Sequence, residues 1–145
     1  MIKIITNGNL FESQCQTLVN TVNCVGVMGK GIALEFKKLY PKMFELYRTY
    51  CKQGLLEIGK LYLWKGEDNW VLNFPTKINW RNPSKYEWIE KGLQKFVITY
   101  KEKGITSIAF PMLGCNNGKL DKNIVLPMMK KYLEKCDDLD IEIYV

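Results

Sequence analysis

The sequence predicts an α/β protein with three layers, α/β/α, in which helices cover both faces of a central mixed sheet. Short apolar segments alternate with longer segments whose apolar residues recur at helical spacing. The 145 residues contain no repeat, low-complexity tract or linker, so we predict one domain over residues 1–145. Polar loops follow three of the apolar segments, and loops at the carboxyl ends of strands are where α/β sheets bind ligands.

Six segments are predicted to be strands because each is short, apolar and followed by turn residues. The third and fourth flank the polar turn GEDN at 66–69, and we expect them to pair antiparallel. The last alternates apolar and polar residues, as a half-buried strand does. The predicted strands are 2–6, 17–22, 61–64, 70–74, 107–113 and 140–145.

Four segments are predicted to be helices. The first stops at Pro41, and the second and third end at Gly54 and Gly104, which is a common way for helices to end. Because proline breaks helix interiors, Pro127 predicts a late start for the fourth. The predicted helices are 30–39, 43–53, 85–103 and 125–135.

Composition narrows the chemistry. There is no histidine, which excludes Ser–His and Cys–His catalysis and most zinc sites. Any catalysis must therefore use Lys, Asp, Glu, Cys, Tyr or water, and we expect no metal and no cofactor. The formal net charge of +6 suits a polyanionic partner, although a basic surface can also serve solubility alone.

The cysteines and the hydropathy bear on location. Five cysteines, an odd number without a CxxC pair, favour reduced thiols in a cytoplasmic protein. No segment is long and apolar enough to cross a bilayer, and residues 1–10 do not resemble a signal peptide. We expect a cytoplasmic monomer without membrane contact.

The first candidate loop lies within VNTVNCVGVMGKGIAL, residues 19–34. Its glycines permit close backbone approach, and the helix that follows offers unpaired N–H groups to an anion such as phosphate. The amides of Asn20 and Asn23 could bind ribose hydroxyls. The alternative is a plain strand-to-helix turn.

A second loop, GCNNGK at 114–119, also follows a strand and precedes a helix, so two loops could clamp a diphosphate. Its alternative is again a simple turn. Asp121, beyond it, could cap the last helix or move a proton. Cys24 and Cys115 lack a histidine partner, and we interpret both as packing residues.

The third loop, NFPTKINWRNPSKY at 73–86, places Lys77 just after a strand. A lysine that is partly desolvated can lose its proton and act as a nucleophile, although most exposed lysines are only solvated charges. Trp80 and Arg81 could stack on a base or contact phosphates, or they could be loop packing and surface charge.

Four motifs in order resemble the macrodomain family of ADP-ribose-binding modules: NGNLFE at 7–12, residues 18–38, NFPTK at 73–77 and PMLGCNNGKLD at 111–121. The chain is similar above all to the macrodomains of DarG-type antitoxins, which remove ADP-ribose from DNA modified by the toxin DarT. It also resembles the terminal ADP-ribose protein glycohydrolase of animals. The resemblance covers essentially the whole chain.

The resemblance implies roles for individual residues. Lys77 matches the catalytic lysine, and Asp121 matches the aspartate that assists it in the animal enzyme. Asn9 stands where many macrodomains have an aspartate that meets adenine, and Asn23 would hold the distal ribose. Trp80 or Tyr144 would stack on adenine. The implied ADP-ribose contacts are Asn9, Leu10, Asn20, Asn23, Val27, Met28, Gly29, Lys30, Gly31, Thr76, Leu113, Gly114, Cys115, Asn116, Asn117 and Gly118.

Differences from the relatives bear on the mechanism. Lys30 stands where another hydrolytic class has the aspartate of a VDG motif, which favours the lysine route here. The DarG pattern GCGNGGLDW reads GCNNGKLDK in this chain, and the histidine before the tryptophan of TKxHW is Asn79. These changes affect the phosphate loop and any contact or proton transfer made by that histidine.

The resemblance implies a hydrolase that releases ADP-ribose from a target. The expected target is thymine, or another base, in single-stranded DNA, in reversal of a DarT-like toxin that would be restrained through a domain absent from this sequence. Trp80 and Arg81 would then contact nucleic acid. The alternatives are hydrolysis of glutamate-linked protein ADP-ribose or O-acetyl-ADP-ribose, and a non-catalytic reader of ADP-ribose.

Overall fold

A computed structural model describes all residues from 1 to 145. Six strands form one mixed sheet in the order β1-β6-β5-β2-β4-β3, in which all neighbours are parallel except β3 and β4. The expected antiparallel pair is confirmed. The elements in chain order are β1 (Ile2–Ile5), β2 (Thr17–Val22), α1 (Gly31–Leu39), α2 (Pro41–Lys52), β3 (Tyr62–Lys65), β4 (Trp70–Pro75), α3 (Tyr86–Thr99), β5 (Ser107–Pro111), α4 (Lys122–Leu133) and β6 (Asp140–Tyr144).

Two hydrophobic cores lie on opposite faces of the sheet. The larger holds 20 buried residues, including Phe96 of α3 and Met129 of α4. The smaller holds 12, including Phe36 of α1 and Tyr47 of α2. Side chains alternate across a strand, so Val19 and Leu18 of β2 pack into different cores. The predicted three-layer α/β/α architecture with a mixed central sheet is confirmed.

Helix α4 begins earlier than predicted, and the expectation of a late start was wrong. The Asp121 carboxylate accepts a hydrogen bond from the Asn123 N–H at 2.9 Å and caps the helix. Pro127 lies inside the helix, where it leaves the Asn123 carbonyl without its i+4 donor. The cap and the burial of Val125 and Met129 offset that loss.

Other boundaries differ by a few residues. Helix α3 ends at Thr99 and the chain continues through turns to Gly104, whose positive φ of 81° reverses its direction. Pro41 begins α2 directly after α1, at a position where proline needs no N–H partner. None of the four helices has the length and hydropathy required to span a membrane.

The sheet order brings the three candidate loops together. Strands β5, β2 and β4 are neighbours and run parallel, so their carboxyl ends lie at one edge of the sheet. The loops that leave this edge are residues 23–30, 76–85 and 112–121. Groups far apart in sequence thus come to share one surface.

Candidate functional site

A pocket of about 620 Å³ opens where the three loops meet. This volume lies within the usual range for small-molecule sites. Residues from all three loops line it, together with the first turn of α1. Of the residues singled out in the sequence, those that line it are Asn23, Val27, Gly29, Lys30, Gly31, Thr76, Lys77, Trp80, Arg81, Gly114, Cys115, Asn116, Asn117 and Gly118.

The first loop, residues 23–30, is organised around the side chain of Asn23. Its Oδ1 accepts from the N–H groups of Val25 and Val27 at 3.1 and 3.2 Å, and its Nδ2 donates to the Val27 carbonyl at 2.7 Å. The Tyr47 hydroxyl, on α2, lies 2.9 Å from the same Oδ1. Most of the hydrogen-bonding capacity of the Asn23 amide is therefore used within the protein, leaving one N–H for a ligand.

The N-terminus of α1 faces the pocket without a side-chain cap. Lys30 occupies the cap position and its side chain makes no capping hydrogen bond. Gly31, Ile32 and Ala33 of the first turn line the pocket, and the first N–H groups of a helix have no partner within it. Those donors and the positive end of the helix dipole are suited to an anion.

The second loop, residues 112–121, is tightly packed. Gly114 has a positive φ of 73°, and its carbonyl accepts from the Leu120 N–H at 3.0 Å. A Cβ added at Gly118 would clash with the Gly114 carbonyl oxygen, so a larger residue could not fit without movement.

The two glycine-containing loops approach each other closely. A Cβ added at Gly31 would lie 3.0 Å from Nδ2 of Asn117. The structure therefore brings an amide of the second loop beside the first turn of α1. Backbone and amide donors from two loops can surround a single anionic group at this point.

Lys77 follows β4 and lines the same pocket. Its backbone N–H donates to the Val22 carbonyl at 3.4 Å, and its Nζ donates to the Trp80 carbonyl at 3.3 Å. Partial burial lowers the pKa of the Lys77 ammonium, and the positive charges of Lys119 and Lys30 lower it further. The pocket thus favours the neutral amine more than water does.

The charged residues that line the pocket are all cationic. They are Lys30, Lys77, Arg81 and Lys119, and no Asp or Glu is among the lining residues. A pocket lined by one sign of charge attracts ligands of the other. Its polarity matches an anionic ligand such as a diphosphate.

Four other sequence candidates have side chains in the interior. Asn20 is fully buried, and its Nδ2 donates to Oδ1 of Asn73 on the neighbouring β4 at 3.2 Å. Leu10, Met28 and Leu113 are buried core residues. The structure gives these side chains packing roles and places none of them along the pocket.

Asn9 and Asp121 lie outside the pocket and act as helix caps. Oδ1 of Asn9 accepts from the Phe11 N–H at 3.0 Å at the start of a 3₁₀ turn, Leu10–Glu12. Asp121 caps α4 through Oδ1, and its other oxygen makes no hydrogen bond with the protein. Asp121 therefore makes the capping hydrogen bond that was one of the two roles considered for it, and its part in proton transfer stays a prediction.

The two aromatic candidates for adenine lie in different places. Trp80 is 45% exposed at the pocket, and the guanidinium of Arg81 lies 4.9 Å from the centre of its ring. Tyr144, at the end of β6, lies outside the pocket, and its hydroxyl donates to Glu142 at 2.8 Å. Only Trp80 shares the pocket with Lys77.

The cysteines near the pocket are poor nucleophiles. Burial raises the pKa of Cys24 to about 11 and also raises the pKa of Cys115. The Cys24 thiol donates to the Lys77 carbonyl at 3.5 Å. Thiols that remain protonated suit the packing interpretation.

Sequence reasoning missed several lining residues. Pro111 is the last residue of β5, as the predicted strand allows, whereas Met112 lies beyond the end of β5 and lines the pocket. The positive charge of Lys119, at the end of the second loop, was the available signal. The missed residues are Thr21, Val22, Ile32, Ala33, Asn82, Pro83, Pro111, Met112 and Lys119.

Comparison with known proteins places this site in context. A protein named DNA ADP-ribosyl glycohydrolase from Mycobacterium tuberculosis (strain ATCC 25618 / H37Rv) is 43% identical over 143 residues, 95% of this chain and 40% of that protein. One with the same name from Thermus aquaticus (strain ATCC BAA-2747 / Y51MC23) is 39% identical over 141 residues, 94% and 39% of the respective chains. The chain therefore spans about two fifths of the length of these relatives.

Solved structures match along nearly the whole chain. The macrodomain of Mycobacterium tuberculosis DarG superposes with a TM-score of 0.95 at 44% identity, covering 99% of this chain and 97% of that one. Thermosipho africanus DarTG in complex with ADP-ribose gives a TM-score of 0.91 at 41% identity, covering 99% and 41%. The Macro domain family model matches residues 19–129, and the chain belongs to that family.

Proposed function

We propose that this chain binds ADP-ribose and hydrolyses the bond that joins it to a modified target. The observation that carries the proposal is the position of Lys77, whose amine shares one pocket with the two glycine-containing loops and has a lowered pKa. A neutral amine beside an anion site can attack the carbon of a ligand held by its phosphates.

The pocket suggests how ADP-ribose is oriented. The first turn of α1 and the second loop supply N–H and amide donors for the diphosphate, and the cationic lining complements its charge. The distal ribose then extends toward Lys77 and the remaining N–H of Asn23. The Thermosipho africanus DarTG structure, which contains ADP-ribose, supports this choice of ligand.

The proposed reaction proceeds in two steps. The lone pair of Lys77 Nζ forms a bond to the anomeric carbon of the distal ribose, and the glycosidic bond breaks with its electron pair leaving on the target, which takes up a proton. Water then adds to the sugar carbon, the carbon–nitrogen bond to Lys77 breaks, and the amine is restored. We propose that Asp121 assists the proton transfers through its free carboxylate oxygen.

We propose single-stranded DNA modified on a base, most specifically thymine, as the target. The relatives named DNA ADP-ribosyl glycohydrolases support this choice, as does a DNA ADP-ribosyl transferase–glycohydrolase fusion from Thermosipho africanus (strain H17ap60334), 39% identical over 160 residues. A transferase of the DarT type would supply the modified base. Trp80 and Arg81, at the pocket, are the proposed contacts to the strand.

The test is release of ADP-ribose from a single-stranded oligonucleotide modified on one thymine. We expect release by the wild type and a loss of at least about 100-fold in Lys77→Ala. Lys85→Ala, which removes a lysine outside the pocket, is the matched control and should retain activity. A protein carrying glutamate-linked ADP-ribose, assayed in parallel, separates DNA from protein as the target.

Each outcome has a defined meaning. Release from the protein but not the oligonucleotide would overturn the DNA target and keep the hydrolase. Full release by folded Lys77→Ala would overturn the lysine mechanism. ADP-ribose binding without release from either substrate would make the chain a reader of ADP-ribose.

A further inference from the structure

Lys119 stands in an unusual conformation at the edge of the pocket. Its φ of 64° lies in the left-handed region, which apart from glycine only Asn7 shares in this chain. A bulky side chain there is conformationally costly, and such costs tend to persist where the local structure has a function. The second loop therefore holds a lysine where glycine would be the less strained choice.

That strained residue places a positive charge in the pocket that contains Lys77. Lys30 contributes another from the first loop, so lysines from all three loops line one cavity. Like charges that share one pocket are unfavourable, and no carboxylate lines this pocket to offset the charges of the half-buried Lys77 and the exposed Lys30 and Lys119. This arrangement does not favour stability of the fold, but it favours the neutral form of Lys77, the most buried of the three lysines.

We propose that the charge of Lys119, together with that of Lys30, raises the fraction of the Lys77 amine that is neutral and nucleophilic, and so moves the pH at which the site becomes active to a lower value. The inference rests on the proposed function of Lys77 as a nucleophile. Lys119 is here a positioning residue that acts on Lys77 through its charge. It does not itself react with the substrate.

The groups around Lys77 agree with this assignment. Burial is the largest cause of the lowered Lys77 pKa, and the charges of Lys119 and then Lys30 lower it further. Arg81, in the same loop as Lys77, adds a further positive charge to the pocket. Cys24 and Cys115 have raised pKa values and stay neutral. No carboxylate lines the pocket, and Asp121, at the end of the second loop, caps α4 through its Oδ1.

Three variants of Lys119 separate charge from backbone strain. Lys119→Gln removes the charge and keeps the strained φ, Lys119→Gly removes both, and Lys119→Arg keeps both. Glycine adopts a positive φ without steric strain, so we expect Lys119→Gly to leave the Tm unchanged or raise it by up to about 3 °C. Lys42→Gln, at an exposed lysine outside the pocket, controls for the loss of one positive charge.

The experiment measures the pH dependence of single-turnover release from the modified oligonucleotide. We expect the acid limb of the profile to move to higher pH by roughly 0.3 to 1 unit in Lys119→Gln and Lys119→Gly, the scale of a partly screened like-charge pair. On that limb the rate falls by about 2- to 10-fold. Lys119→Arg and Lys42→Gln should follow the wild type.

A second readout does not depend on catalysis. In protein with ¹³C-labelled lysine, the Lys77 side-chain signal, identified by its loss in Lys77→Arg, reports the titration of the amine directly. We expect this titration to move upward in pH in Lys119→Gln. A wild type without activity would overturn the proposed function and leave this measurement valid.

Two results would overturn the inference. One is an unchanged Lys77 titration in Lys119→Gln and Lys119→Gly. The other is a uniform fall in rate with an unmoved acid limb, which would make Lys119 a group that binds substrate. The inference is supported if Lys119→Arg keeps the wild-type pH profile while the acid limb of the profile moves to higher pH in Lys119→Gln.

Discussion

The Tyr47 hydroxyl lies 2.8 Å from the backbone oxygen of Asn23 and 2.9 Å from its Oδ1. Tyr47 is fully buried on α2, so the core of the protein holds the start of the first loop. The hydroxyl has one proton for these two oxygens, and the N–H groups of Val25 and Val27 supply the other donors to Oδ1. The shape of the pocket wall is thus set by a residue that does not line it.

Tyr47→Phe tests this support. Loss of the hydroxyl should lower the free energy of unfolding by about 1 kcal/mol. Affinity for ADP-ribose should fall by about 3- to 10-fold because the loop must be ordered when the ligand binds. Tyr50→Phe is the control, since its ring stacks on Tyr62 and its hydroxyl makes no hydrogen bond in the protein. Unfolding by urea and calorimetric titration with ADP-ribose measure both effects; unchanged affinity would contradict the role of Tyr47.

Gly29→Ala tests whether a ligand approaches the bare backbone of the first loop. A Cβ at Gly29 would meet only a Val27 side-chain carbon at 3.6 Å, an ordinary contact, and its backbone is not in the left-handed region. The substitution should therefore leave stability within about 0.5 kcal/mol. If the diphosphate lies against this loop, the added methyl group should weaken ADP-ribose binding by at least about 10-fold.

Gly54→Ala is the matched control for that variant. Gly54 has a φ of 69° and no atom within 4 Å of its added Cβ, so alanine there adds strain but no clash. We expect a loss of about 1 kcal/mol in stability with unchanged ADP-ribose binding. If Gly29→Ala binds as the wild type does, the ligand does not contact this part of the loop.

Periodicity and loop chemistry were sufficient to predict the layered fold and the three loops of the site. Both are local signals. The spacing of apolar residues predicts a helix or a strand, and a polar loop after a strand predicts that the loop lies at the ligand-binding edge of the sheet. The hydrogen bond between the Asn23 amide and the Tyr47 hydroxyl could not be predicted, because Tyr47 comes 24 positions later in the chain, on α2. Burial of Asn20 likewise depends on Asn73 of the neighbouring strand.

The start of α4 shows the same limit at short range. Pro127 predicts a late start, whereas the cap at Asp121 favours an early one. The sequence contains both signals, and their balance depends on how Val125 and Met129 are buried against the sheet. Packing of this kind follows from the assembled tertiary structure.

Asp121→Asn and Asp121→Ala separate the cap from the proposed proton transfer. Asparagine caps helices about as well as aspartate, so Asp121→Asn should be nearly as stable as the wild type, whereas Asp121→Ala should lose about 1 kcal/mol. Both lack the acid, and we expect release of ADP-ribose to slow by about 100-fold or more in each. Thermal unfolding measures the stability of both variants, and single-turnover assays measure their rates of ADP-ribose release. Wild-type rates in Asp121→Asn would restrict Asp121 to its capping role.

Lys77 also predicts a pH dependence of stability. Its pKa in the folded protein lies below the ordinary 10.5, so between these two values the unfolded chain binds more protons and the free energy of unfolding rises with pH. Below both values the charged ammonium penalises the folded state. Lys77→Met removes this penalty, and we expect it to be more stable than the wild type at neutral pH.

The stability difference between Lys77→Met and the wild type should be largest at neutral pH and below. It should shrink as pH rises through the folded-state pKa toward 10.5, because the wild-type amine becomes neutral in both states. Urea unfolding of both proteins from pH 6 to 10 follows the difference, and Lys85→Met, outside the pocket, should show no such trend. A pH-independent difference would mean that the amine titrates normally. The pocket would then supply no neutral nucleophile beyond what water allows.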